Sequence, residues 1–288
     1  MIAECVVNIS EGRDASVVEA IASAAEQTLL DVHSDPDHHR SVLTLGGPVD
    51  DVVTASRAVV GQACARIDMR AHRGAHPRLG AADVVPFVAL DGPLDEAVSL
   101  RDDFARWAGQ NLQLPCFLYG PERTLPRVRR DAFRSIDPDT GPLVPHPTAG
   151  ASAVGARPVL VAYNLWVEGP EDNMASALVL AQQVARAVRG PAVRSLGFPV
   201  GTMAQVSCNL IDPERVGPAQ AYDAIAGAVT EWRGAVVRAE LVGLVPARVL
   251  NAIPGHRHDE LDVSQDRTIE AGLESAGQTG TSPPLRKR

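Results

Sequence analysis

"LLDVHSDPDHHRSVLTLGG", residues Leu29 to Gly47, holds two apolar stretches, LLDVHS and SVLTLGG, separated only by the polar segment DPDHHR. Both are short, Val/Leu-rich and bounded by Asp, Pro or Gly, so they read as two consecutive strands joined by a loop. Their flanks decide the fold. Upstream, ECVVNIS (Glu4–Ser10) is a β-branched strand and EGRD a turn. Asp14 can then cap a helix whose stripe Val17, Ile21, Ala24 and Thr28 recurs at helical spacing. Downstream, Val52, Ser56, Val59, Ala63 and Ile67 line one face of a second helix, with Asp50 and Asp51 in its first turn, where the helix dipole favours them. The strand ADVVPFVAL (82–90) follows. The order is β-α-β-β-α-β, the split βαβ or ferredoxin-like pattern.

The end of the chain repeats it. RPVLVAYNLWV (157–167) reads as a strand, and Met174, Leu178, Ala181, Val184 and Val188 as a helical stripe. VRSLGF and MAQVSCNLI follow as strands, AQAYDAIAGAVTEW as a helix and VVRAELVGLVP as the last strand. The expected fold class is therefore α/β (α+β) with two ferredoxin-like subdomains, at 1–156 and 157–269, and a disordered tail at 270–288 that has little to bury. An extra helix from Asp95 to Leu112, the strand PCFLYG and a proline-rich stretch to Gly155 extend the first subdomain.

Composition bounds the function. A length of 288 residues exceeds the usual size of one hydrophobic core, and an aromatic content of 4% makes the cores aliphatic. A formal charge of -8 argues against a general nucleic-acid binder, so any anionic ligand must meet a local basic patch. Cys5, Cys64, Cys116 and Cys208 form no C-x-x-C pair and read as reduced thiols. The N-terminus lacks the pattern of a signal peptide, and no segment is apolar enough to span a membrane, so a cytoplasmic protein is expected.

Three polar segments interrupt the elements. In HRGAHPRLGAADVVPF (His72–Phe87), His72 and His76 stand four apart, which suits metal ligation on a helix, but Gly74 and Pro77 break that spacing and no glutamate follows His72 as in a zincin. Histidines that only bond neighbouring carbonyls, or a rigid active-site loop with Arg73 and Arg78 as cationic donors, are the other readings. HSDPDHHR (His33–Arg40) places five potential ligands in seven residues, and reads as a metal site, a plain turn or a metal-free substrate loop. GPLVPHPTAGASAVGAR (Gly141–Arg157) is too rich in small residues and proline to fill a core. It reads as a linker, or as a wall that lets backbone donors approach a flat ligand.

NISEGRD, LLDVHSDPDHHRSVLTL, IDMRAHRGAHPRLGAADVVPF, GARPVLVAYN, MAQVSCNLID and LVGLVP resemble, in this order, the formiminotransferase domain of glutamate formimidoyltransferases, over nearly the whole chain from Glu4 to about Glu270. The resemblance implies two α/β subdomains whose sheets face each other across a ligand groove. It also implies transfer of a formimidoyl group from N-formimidoylglutamate to N5 of tetrahydrofolate, the co-substrate, in histidine degradation. The family's catalytic histidine falls on His76, with His72, Arg78 and Asp83 in support. Expected substrate-binding residues are Asn8, His33, Asp35, His39, Arg40 and Arg73. Expected folate-binding residues are Val144, Pro145, His146, Gly150, Ala151 and Ser152, joined by Gln205 and Asn209. Valine at Gly150 is expected to weaken folate binding with little effect on melting.

An amidine is easily protonated, so the chemistry asks for no metal, and none is expected. Both substrates carry carboxylates for Arg40, Arg73 and Arg78. The chain ends before the cyclodeaminase domain fused in animal members, so a monofunctional enzyme is expected; a homodimer is a separate expectation. The His/Asp-rich loop sets it nearer the stand-alone microbial members, and a formimidoyl or formyl transferase using another amine stays open as the alternative.

Overall fold

The protein is described from a computed structural model, which covers residues 1–74, 78–171, 173–200, 203–279 and 286–287, with backbone alone used for 278–279 and 286–287. It forms two compact units, Met1–Pro158 with Leu273–Arg288, and Val159–Gly272.

In the first unit, β1 (Ile2–Ile9) leads through α1 (Ala15–Ala22) to the hairpin of β2 (Leu29–Asp35) and β3 (Arg40–Pro48), then α2 (Val49–Arg66) and β4 (Ala82–Ala89). Asp14 caps α1, its Oδ1 accepting from Ser16 N at 2.9 Å and Val17 N at 3.3 Å. The α1 stripe ends earlier than its periodicity suggests. A 3-10 turn over Ser23–Thr28, with Glu26 at φ 50°, redirects the chain into β2. The four strands lie in the order β2-β3-β1-β4. Beyond β4 the sheet grows through α3 (Leu94–Asn111), β5 (Cys116–Tyr119), α4 (Leu125–Asp131) and β6 (Ser152–Ala156), with β6 parallel to both β4 and β5.

Alternation along β1 explains the layering. Ala3, Cys5, Val7 and Ile9 join Leu43, Leu45, Val85 and Phe87 in the core under the helices. Glu4, Val6 and Asn8, paired across the sheet with Gly46, Thr44 and Val42, fall on the opposite face. That second face carries the polar residues of the site. At its far edge α4 packs Val128 with Phe117, Tyr119, Ala151 and Ala153 in a small separate core.

In the second unit, β7 (Val161–Glu168), α5 (Met174–Ala187), β8 (Val193–Val200), β9 (Met203–Leu210), α6 (Pro218–Glu231) and β10 (Ala235–Val242) repeat the order, in a sheet β10-β7-β9-β8. Both sheets thus place all four strands of the repeat in the same order, as a ferredoxin-like duplication requires. Val161, Tyr163, Leu165 and Val167 bury against α5 and α6 with Val206 and Leu210.

Two expectations need correction. SAVGA (152–156), read as part of an irregular stretch, is the buried strand β6; its small side chains suit a strand hemmed in by parallel neighbours. The segment from Glu270, read as disordered, begins in a helix, α8 (Ile269–Thr279), after the short α7 (Ala247–Asn251). Thr268 Oγ1 accepts from Ala271 N at 3.1 Å, and the Glu270 carboxylate accepts from Ala247 N at 2.8 Å, so the helix start is capped and tied down. A two-residue strand, β11 (Arg286–Lys287), pairs with His33 and Ser34 of β2. The four cysteines are free, and burial pushes their thiols up to about 12.

Candidate functional site

The β2–β3 turn is built by Asp35, whose Oδ1 accepts from Asp37 N and His38 N at 2.9 Å each. This arrangement satisfies backbone donors that a tight turn would orphan. It sets His39 at φ 51°, in the left-handed region, with its ring over the β1–α1 turn. His39 Nδ1 accepts from Gly12 N at 3.2 Å, so the neutral ring carries its proton on Nε2. Glu11 lies 3.3 Å from the same nitrogen. Its Oε1 also accepts from the backbone N–H groups of Gly12, Arg13 and Asp14 at 2.9, 2.7 and 3.0 Å. Burial lowers the His39 pKa, against the pull of Glu11 and with the push of Arg13 and Arg78.

His72 stacks on His39, with ring centroids 4.1 Å apart and planes 26° apart. Arg78 Nη1 sits 3.0 and 2.9 Å from the two nitrogens of His72 and donates to whichever is unprotonated. The same guanidinium donates to His39 O at 3.2 Å and His38 O at 3.1 Å. Burial first, then the Arg78 charge and His39, lower the His72 pKa to about 4. His72 is therefore neutral at pH 7.

Arg40 donates to Asn8 Oδ1, and burial lowers its pKa to about 10 while the Asp83 charge counteracts. Asp83, 1% exposed, accepts from Leu79 N at 2.7 Å and from the Arg129 guanidinium at 3.2 and 2.6 Å. Three guanidinium groups, Arg40, Arg78 and Arg129, thus sense one shared carboxylate. The excess positive charge suits a carboxylate-bearing ligand.

The expected residues fall out as follows. Asn8, His39, Arg40, His72, Arg78 and Asp83 come together; His33 and Asp35 are buried on β2 beside them. Arg73 is exposed, and its Nη1 donates to the neighbouring His72 O at 2.7 Å. His76 lies outside the described residues. Val144 and Pro145 are exposed and His146 partly so, whereas Ala149, Ala151 and Ser152 are fully buried. Small residues here serve close packing, which corrects the reading of Gly141–Arg157 as unfit for a core. Ser152 shares a side of β6 with Val154 and Ala156, which lie in the helix-covered core, and its buried Oγ has no hydrogen-bond partner among the described residues.

In the second unit, Gln205 is fully buried and Asn209 exposed on β9. Gln205 Nε2 lies 3.5 Å from Glu240 Oε2, which also accepts from Asn164 Nδ2 at 2.9 Å. Arg238 covers the Trp166 ring at 4.2 Å. Glu11 and Arg129 were not anticipated. Glu11 had a signal in NISEGRD, directly before the Gly12 turn; Arg129 had none, since its partner is 46 residues away. Among the described residues no three His, Cys, Asp or Glu side chains converge to hold a metal ion, and no helix is long and apolar enough to cross a membrane.

Comparison with known proteins agrees with this architecture. The family described as Formiminotransferase domain, N-terminal subdomain, matches residues 2–157. A glutamate formimidoyltransferase of Thermoplasma acidophilum is 36% identical over 276 residues, covering 86% of this chain and 89% of the relative. One from Streptococcus pyogenes serotype M1 is 34% identical, covering 86% and 90%. The formimidoyltransferase-cyclodeaminase of Rattus norvegicus is also 34% identical, over 86% of this chain but 50% of its own length. On the family match and the span of these similarities, the chain belongs to the formiminotransferase domain family.

Proposed function

We propose that the protein transfers a formimidoyl group from N-formimidoyl-L-glutamate to N5 of tetrahydrofolate, releasing glutamate. Similarity over 86% of the chain to relatives named glutamate formimidoyltransferase carries the reading. In the reaction the N5 secondary amine attacks the amidine carbon, forming the new C–N bond. The tetrahedral intermediate then collapses as the bond to the glutamate nitrogen breaks. N5 loses one proton and the departing amine gains one. We assign that exchange to His76 as general base and then general acid, a role worth on the order of 10²–10⁴ in rate. His72, held neutral against Arg78, is assigned a supporting role. Arg40 and Arg78 receive substrate carboxylates, with Asn8, His33, Asp35, His39 and Arg73 around them, while Arg129 is taken up by Asp83.

Folate binding is assigned to Val144, Pro145, His146, Gly150 and Ala151 in the first unit; Gln205 and Asn209 are separate candidates for folate contact. Ala151 contributes backbone only, and Ser152 is withdrawn because its side chain faces the helix-covered core. The enzyme is taken to act on small molecules, in the cytoplasm, as a homodimer, which light scattering tests. The donor is tested by assaying tetrahydrofolate against a panel of formimidoyl and formyl amino acids. N-formimidoylglutamate should give the highest kcat/KM by at least tenfold. Preference for a formyl donor, or for an amino acid other than glutamate, would displace the reading.

A further inference from the structure

We propose that Arg129 is a positioning residue for this transfer, acting through Asp83 to hold the backbone at Leu79 and so to keep Arg78 on His72 and the His38–His39 carbonyls. The proposal rests on the reading that the 72–80 segment carries the chemistry.

Arg129 belongs to α4, whose neighbouring residue Val128 is fully buried against Phe117 and Tyr119, so the helix is anchored independently of the segment it clamps. Asp83 ties the two together: one oxygen takes the Leu79 amide at 2.7 Å while both oxygens take Arg129, at 3.2 and 2.6 Å. Leu79 directly follows Arg78, whose donors run to His38 O, His39 O and the His72 ring. A carboxylate this deeply buried cannot stay unpaired. Arg129 satisfies it, which leaves Arg78 to bond carbonyls and an imidazole in place of the carboxylate. Without Arg129, Asp83 draws Arg78 or Arg40 to itself, and the contact between Arg78 and His72 is the first to go.

His72 reports this directly. The groups facing it are Arg78, the stacked His39, Glu11 and the Ser10 backbone, and the charge of Arg78 is the largest influence after burial. The test compares wild type, Arg129→Met, Arg129→Lys and the double variant Asp83→Asn/Arg129→Met by histidine-ring NMR titration, steady-state kinetics and melting, with His72→Gln to assign the resonance. In Arg129→Met the His72 pKa should climb from about 4 toward 6.5, with kcat at least tenfold lower and KM for tetrahydrofolate within threefold. Arg129→Lys should recover part of both. The double variant has no stray carboxylate but keeps an acceptor for Leu79 N, so it should restore the low His72 pKa and most of kcat. It also serves if Arg129→Met does not fold.

An unchanged His72 titration in Arg129→Met, or a double variant no better than the single one in pKa and kcat, overturns the proposal. Melting changes without these shifts would mean a merely structural ion pair. Wild-type protein without transfer activity would refute the function reading, while the His72 titration would still decide the role of Arg129.

Discussion

Replacing Gly150 with alanine drives a Cβ into the carbonyl oxygen of Leu79 and to 3.0 Å from Gly80 Cα, at a backbone φ of +72°. The 146–151 turn is closed on itself by His146 N to Gly150 O at 2.7 Å and Gly150 N to His146 O at 3.0 Å. It is sealed onto the strand entrance by Ala151 N to Leu79 O at 3.1 Å and Ala81 N to Ala149 O at 2.8 Å. Gly80 meets the turn from the other side, where a Cβ would collide with the Ala149 and Ala151 backbone. A non-glycine residue in the left-handed region costs about 1–2 kcal/mol. Weakening the two sealing hydrogen bonds costs about 0.5–1.5 kcal/mol each. A total of about 3 kcal/mol corresponds to a Tm lower by about 6–12 °C for a unit of this size. Differential scanning calorimetry measures it; a Tm within about 2 °C of wild type would refute the reasoning that the turn and strand are sealed by close backbone approach. The expectation of a folate defect without a stability change at Gly150 is therefore withdrawn: valine, β-branched at positive φ, should melt lower still.

His76→Ala should abolish transfer with melting and folate binding near wild type; retention of more than about one per cent of kcat, below the range a general acid–base supplies, would reject its role. Stability should fall between pH 7 and pH 4, because His72 and His39 have depressed pKa values and the unfolded chain binds more protons below about 6.5; urea midpoints should drop across that window, and less steeply in His72→Gln. Arg101, 1% exposed, donates to Tyr119 O at 3.1 Å and to Glu122 at 2.7 and 2.6 Å. Since Glu122 is half exposed and regains water, Arg101→Met should cost about 2 kcal/mol, seen as a urea midpoint shift.

The duplicated β-α-β-β-α-β order was legible because each strand is a Val/Leu run and each helix keeps a 3.6-residue stripe. Strand β6 was not, since SAVGA lacks the branched residues that mark a strand and its identity comes from parallel neighbours on both sides. The histidine and arginine cluster was legible where its members share short segments, as Asp35 to Arg40 and His72 to Arg78 do. The link from Asp83 to Arg129 exists only after α4 folds back over the sheet edge. Small residues misled at Ala149, Ala151 and Ser152, where little side-chain volume allows tight packing and does not signal an open wall.

In the proposed reaction the formimidoyl carbon passes intact to N5 of tetrahydrofolate. Purified protein incubated with tetrahydrofolate and N-formimidoyl-L-glutamate labelled with ¹³C at the formimidoyl carbon, followed by NMR and mass spectrometry, tests it most directly. Labelled 5-formimidoyltetrahydrofolate should form, with one glutamate released per label transferred. Glutamate release with the label appearing in formamide or formate, and none on the folate, would contradict it.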